Sequence, residues 1–203
     1  MNMKDKRNEF IVNQIKRKLY EGDYTCVIAK DNQFLTSKAR GVKPLLDWLD
    51  SGIDLSDGFA ADKVIGKAAA FLYVLLDVDY VYAGVLSRPA LDVFEKYGTF
   101  CEYDTLVDAI ENRTKTGFCP MESAVWTVEE PEGVPELLKD KLKQMAEEAK
   151  FRENLKSMPI CQIEDKRAEL TDAQEVTEGE LDLNRLQQQL AAIDAEKKRR
   201  GYK

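Results

Sequence analysis

The sequence contains no histidine. The commonest general base and the commonest metal ligand are therefore both missing. Its four cysteines, Cys26, Cys101, Cys119 and Cys161, stand far apart with no Cys-x-x-Cys pair. That spacing gives no support for a zinc site, and the thiols are expected to be free. No metal site and no cofactor are expected. Long apolar runs are also absent. The longest, Ala68 to Leu76, is about half the ~18 residues needed to cross a bilayer. The first residues, Met1 to Arg7, are charged and have no apolar stretch behind them, so no secretory leader and a cytoplasmic location are expected. Positive charge is in deficit, with a net charge of −7, which argues against a dedicated nucleic-acid binder. The exception is local. Lys4, Lys6, Arg7, Lys16, Arg17 and Lys18 face only Asp5 and Glu9 within residues 1–20. Contact with RNA or an anionic surface is one reading of that cluster, and a solvated helix face is the simpler one.

Apolar residues are plentiful, at 44% of the chain, and they fall into alternating patterns. Ile11, Val12, Ile15 and Leu19 predict an amphipathic helix from Asn8 to Tyr20, ended by Glu21-Gly22-Asp23. Tyr24 to Ala29 and Gln33 to Thr36 predict a hairpin turning at Asp31-Asn32. A short helix is expected from Val42 to Leu49. Ala60 to Leu76 reads as one long helix, Tyr80 to Val85 as a strand buried on both faces, and Ser87 to Tyr97 as a helix closed by Gly98. Phe100 to Tyr103 reads as a strand, Thr105 to Asn112 as a short helix, and Gly117 to Glu122 as an ordered loop. This order predicts an α/β fold, a three-layer sandwich with a mixed sheet.

Beyond Trp126 the chain is charged. Glu129 to Gly133 reads as an acidic linker or as the start of a helix reaching Asn154, and Thr171 to Gly179 as a flexible polar stretch. Leu183, Leu186, Leu190 and Ile193 then form a heptad-like stripe too short to hold a coiled coil alone. The expected division is an N-terminal helix over 1–22, an α/β domain over 23–126, a charged helical segment over 127–170, and a linker with an amphipathic helix over 171–203. Docking of the stripe on its own domain is favoured over self-association or a protein partner through 181–200.

Three groups of residues could carry chemistry. Asp62 is expected to cap a helix, with Lys63 beside it and Gly66 inside that helix where a backbone or ligand comes close. Ser87, followed by Arg88 and Pro89, caps a second helix directly after a strand, a place where open N–H groups attract anions. Cys119-Pro120-Met121-Glu122 offers a thiol with a carboxylate close behind. Each has a bland counterpart, a buried capped helix, an ordinary strand–helix junction and a structural thiol. Tyr80 and Tyr82 read simply as core.

Four blocks together resemble a known family. Gly41-Val42-Lys43-Pro44-Leu45-Leu46, Ala61 to Ala69, Tyr82-Ala83-Gly84-Val85 with Pro89-Ala90-Leu91, and Gly117 to Glu122 are similar to a prokaryotic domain of unknown function, family 1893. That family is placed in the cytidine-deaminase-like fold, and the resemblance spans about Tyr24 to Val125. It implies a deaminase-like sandwich with a helical extension, and it implies where an active site would lie. In deaminases of this fold a His or Cys with a Glu opens one helix, and Pro-Cys-x-x-Cys opens the next. Here Ala60, Ala61, Asp62 and Lys63 stand in the first place and Pro89-Ala90-Leu91-Asp92-Val93 in the second. The zinc ligands are thus missing from the pattern, and zinc-dependent deamination is not expected.

The leading expectation is a non-catalytic or regulatory domain that binds a small anionic or nucleotide-like ligand. Its binding residues are expected among Lys43, Asp62, Lys63, Gly66, Ser87, Arg88 and Glu122. The alternatives are a scaffold acting through its C-terminal helices, and an enzyme of another class using Cys119 or the pair Asp62 and Lys63.

Overall fold

A computed structural model describes residues 3–112 and 114–202. The side chains of residues 1–7 lie outside that description, and with them the basic cluster of Lys4, Lys6 and Arg7. The chain divides into two compact units, Met1–Lys141 and Leu142–Lys203. In the first, α1 (Met3–Glu21) leads into β1 (Cys26–Lys30), β2 (Gln33–Ser37) and α2 (Lys43–Ser51). Then follow β3 (Phe59–Ile65), α3 (Lys67–Leu75), β4 (Tyr80–Ser87), α4 (Arg88–Tyr97), β5 (Phe100–Val107) and the short α5 (Pro120–Ala124). Helix α6 (Val134–Ser157) contains the boundary, and α7 (Ile160–Val176) and α8 (Glu180–Arg199) belong to the second unit.

The five strands form one mixed sheet in the order β2-β1-β3-β4-β5. β1 is antiparallel to β2 and β3, while β3, β4 and β5 run parallel. Parallel neighbours need crossover connections, and α3 and α4 supply them, packed side by side on one face. Helix α1 covers the other face, so the sheet is sandwiched between helical layers as an α/β fold. Strand alternation explains the two cores. Phe59 and Ala61 of β3 and Tyr80 and Tyr82 of β4 point toward Ile15 and Leu19 of α1, which leaves the residues between them for the α3–α4 face.

The long helix expected from Ala60 to Leu76 is corrected. Its first six residues, Ala60 to Ile65, belong to strand β3, the sheet's middle strand, and the helix begins only at Lys67. Alanines at 60 and 61 are strong helix formers in isolation. Here both are fully buried between two helical layers, where small side chains let the layers close on the sheet. Tertiary pairing with β1 and β4 overrides the local preference. The helix expected from Thr105 to Asn112 is corrected likewise. Thr105, Leu106 and Val107 continue β5, paired with Val85, Leu86 and Ser87. Helix α4 matches its expected limits, with Ser87 as N-cap and Gly98 closing it in a left-handed conformation.

The second unit has a small core of Leu155, Ile163, Leu170 and Ile193, with Leu186 and Leu190 packed against it. The C-terminal stripe is therefore used inside its own unit. The flexible stretch expected from Thr171 is corrected, since α7 continues through Val176. Arg200 caps the end of α6 by donating to the carbonyls of Met158 and Lys156 at 2.7 and 2.8 Å. Among the described residues no helix is long and apolar enough to cross a membrane.

In the first unit, Gly84 allows a close approach of chains. A Cβ there would meet the Lys63 carbonyl oxygen at 2.8 Å and the Tyr20 hydroxyl at 3.0 Å. Backbone in the middle of a sheet cannot give way cheaply. Gly84→Ala is expected to lower stability by about 1–3 kcal/mol, read as a lower urea midpoint with an unchanged slope.

Candidate functional site

Strands β3 and β4 end side by side, with Ile65 level with Leu86, and each gives way at once to a helix. Two helix N-termini therefore open together at the carboxyl ends of parallel strands, the usual ligand crevice of an α/β sheet. Gly66 is the N-cap of α3 and supplies no side chain. Ser87 is the N-cap of α4, is fully buried, and accepts a hydrogen bond from the Ala90 N–H at 3.3 Å.

The crevice is filled by the protein itself. Glu122, carried by α5 and 1% exposed, reaches between the two helix starts. Its Oε1 accepts from the Lys67 N–H at 3.0 Å and from the Ser87 hydroxyl. Its Oε2 accepts from the Ile110 N–H at 2.6 Å. A carboxylate between the positive ends of two helices sits where their dipoles favour negative charge. Gly66 permits this placement, because a Cβ there would lie 3.0 Å from Oε1 and 3.1 Å from Ile110. Gly66 is thus not inside a helix, and the group that comes close to it is the Glu122 side chain rather than a backbone or a ligand.

Of the other residues expected at the site, Asp62 is not a helix cap. It lies within β3, where Tyr73 of α3 donates to its Oδ2 at 2.9 Å and the Val64 N–H donates to Oδ1 at 3.0 Å. Burial pushes its carboxyl up to about 6, against these two donors, which pull it down. Lys63 turns to the opposite face, as strand alternation requires, and pairs with Asp23 at 2.7 Å. Asp62 and Lys63 are therefore not brought together. Arg88 is exposed and pairs with Asp108 at 3.1 Å, and Lys43 pairs with Asp47 on its own helix at 2.7 Å. Cys119 is a half-buried free thiol at the N-cap of α5, its N–H donating to the Ile110 carbonyl at 2.7 Å. The structure brings together Gly66, Ser87 and Glu122.

Sequence reasoning missed Lys67 and Ile110, which act through backbone N–H groups that no side chain announces. A glycine directly before the run Lys67 to Ala70 was the available signal for the true helix start. Phe118 and Trp126, which bracket α5, were also passed over.

The zinc implied by a deaminase-like pattern does not fit this crevice. Zinc needs three or four nitrogen, sulfur or carboxylate donors. α3 opens with Lys67 and Ala68, α4 with Arg88, Pro89 and Ala90, and Glu122 already spends both oxygens on protein donors. Among the described residues no three His, Cys, Asp or Glu side chains converge to hold a metal ion.

Residues 14–142 match the family model for a domain of unknown function, DUF1893. Among solved structures, the DUF1893 family protein TM1506 from Thermotoga maritima is similar over 64% of this chain and 88% of its own. It is 26% identical, with a TM-score of 0.59. No curated protein matches.

Glu122→Ala would strand two backbone N–H groups and the Ser87 hydroxyl in a buried space. A loss of at least about 2–4 kcal/mol is expected, with Glu122→Gln losing less because one acceptor oxygen remains. Chemical denaturation of both variants tests this ranking. Asp62 sets a pH dependence of its own. Its folded-state carboxyl titrates near 6 and its unfolded one near the ordinary value of 3.8. The unfolded chain thus gives up this proton first, and stability falls as pH rises from about 4 to 6. Melting temperatures across that range should fall more steeply for the wild type than for Asp62→Asn.

Proposed function

The chain belongs to the DUF1893 family, and we propose that its α/β unit is a non-catalytic or regulatory domain with a zinc-free, deaminase-like crevice for a small anionic or nucleotide-like ligand. The strand order β2-β1-β3-β4-β5, with three parallel strands and helices on both faces, supports the deaminase-like reading. The observation that carries the functional reading is the seat of Glu122. The Lys67 N–H at the start of α3, the Ser87 hydroxyl that caps α4 and the Ile110 N–H already hold one carboxylate, so the crevice has the chemistry of an anion site with an internal anion in it.

A ligand's anionic group competes with that carboxylate. The internal group has the advantage of tethering, so free anions bind the wild type weakly. Lys67 and Arg88, which open α3 and α4, are the cations assigned to the ligand, and Ser87 is the hydroxyl it would share. Catalysis through Asp62 and Lys63 as a couple finds no support, because they face opposite sides of the sheet.

Thermal shift with inorganic phosphate and nucleoside monophosphates tests the reading. A small rise in melting temperature is expected for the wild type. A larger one is expected for Glu122→Gln, in which the seat remains and the competing charge is gone. No rise in either protein, at concentrations up to about 10 mM where millimolar binding would show, would remove the anion-binding reading.

A further inference from the structure

Phe118 and Trp126 bracket α5 in sequence, and their rings stack, with centroids 6.0 Å apart and planes 23° from parallel. The two residues are 62% and 47% exposed, in a unit that buries Phe71, Tyr73 and Phe94 almost completely. Their backbone is held in place. Phe118 bridges to Glu111, and the next residue, Cys119, donates to the Ile110 carbonyl at 2.7 Å. The Trp126 carbonyl accepts from the Lys67 ammonium at 2.7 Å. Lys67 therefore joins two places at once. Its backbone N–H ends on Glu122 inside the crevice, and its side chain ends on the residue that carries the outer ring.

We propose that Phe118 and Trp126 form a stacking platform for the planar heteroaromatic ring of a nucleotide-like ligand, whose anionic end is directed to Lys67. The proposal rests on the crevice reading above and names the ring-binding half of the same site. Stacking on an aromatic pair tolerates any base, because every base presents a π face. The ammonium of Lys67 has three protons, and a single carbonyl does not use them all. Two rings are far too little surface for a protein interface, which needs about 20–30 residues a side. The neighbours Thr114, Lys115 and Thr116 are polar and exposed, which also suits a small ligand.

The chain has two tryptophans, so Trp48→Phe leaves Trp126 as its sole emitter. Adenosine monophosphate and adenosine are the probes, titrated into that protein with tryptophan fluorescence as the readout. Saturable quenching by both is expected. Adding Phe118→Ala should weaken it about fivefold or more, while Lys67→Gln should weaken the monophosphate several-fold more than adenosine. Melting temperatures without ligand verify that each variant is folded. Absent quenching overturns the platform, as does quenching that Phe118→Ala leaves untouched. If phosphate still raises the melting temperature of Glu122→Gln, the crevice reading survives that failure. If phosphate and the monophosphate both leave it unmoved, the two readings fall together.

Discussion

The Glu122 carboxylate is the one interaction on which the carboxyl end of the sheet depends. It receives the first N–H of α3, the capping hydroxyl of α4, and the N–H of Ile110 in the segment beyond β5. Three consecutive strand exits are thereby tied to a single side chain. Helix starts leave N–H groups without partners, and burial makes each of them expensive unless something accepts. Water or a ligand does this at many α/β sites. Here a helix of one and a half turns brings the acceptor from later in the chain.

That arrangement accounts for neighbouring features that otherwise look unrelated. Gly66 is needed because the acceptor lies 3.0 Å from where a Cβ would stand. Ser87 is buried because its hydroxyl serves both its own helix and the carboxylate. Pro120 at the start of α5 costs nothing there, since its missing N–H falls where helices have no use for one. Lys67 also holds the chain just past α5, through the Trp126 carbonyl. Asp62 is likewise a carboxyl held by protein donors, and burial raises its titration.

The second unit uses the same principle at the opposite helix end. Arg200 supplies donors to carbonyls at the close of α6, and Arg199 and Arg200 together hold Glu196 down at about 2. With a core of four buried residues among those described, such polar closures matter more to this unit than to the first.

Much of this protein was legible in local sequence. Ile15 and Leu19 marked α1, the hairpin showed in its turn, and Ser87-Arg88-Pro89 with Gly98 marked both ends of α4, because capping and periodicity are properties of a few adjacent residues. The family block around Glu122 pointed to a residue that matters. Other parts were beyond local reading. Ala60 to Ile65 favours a helix by composition, and only pairing with β1 and β4 makes it the middle strand. Thr105 to Val107 extends β5 for the same reason. By itself the sequence determined that a helix begins after Ser87 and that no histidine would serve it. Tertiary structure alone decided that Asp62 and Lys63 would part to opposite faces, and that Glu122, 35 residues beyond Ser87, would occupy the crevice between the starts of α3 and α4. Such long-range closure depends on how helices and strands stack, which no short stretch of chain encodes.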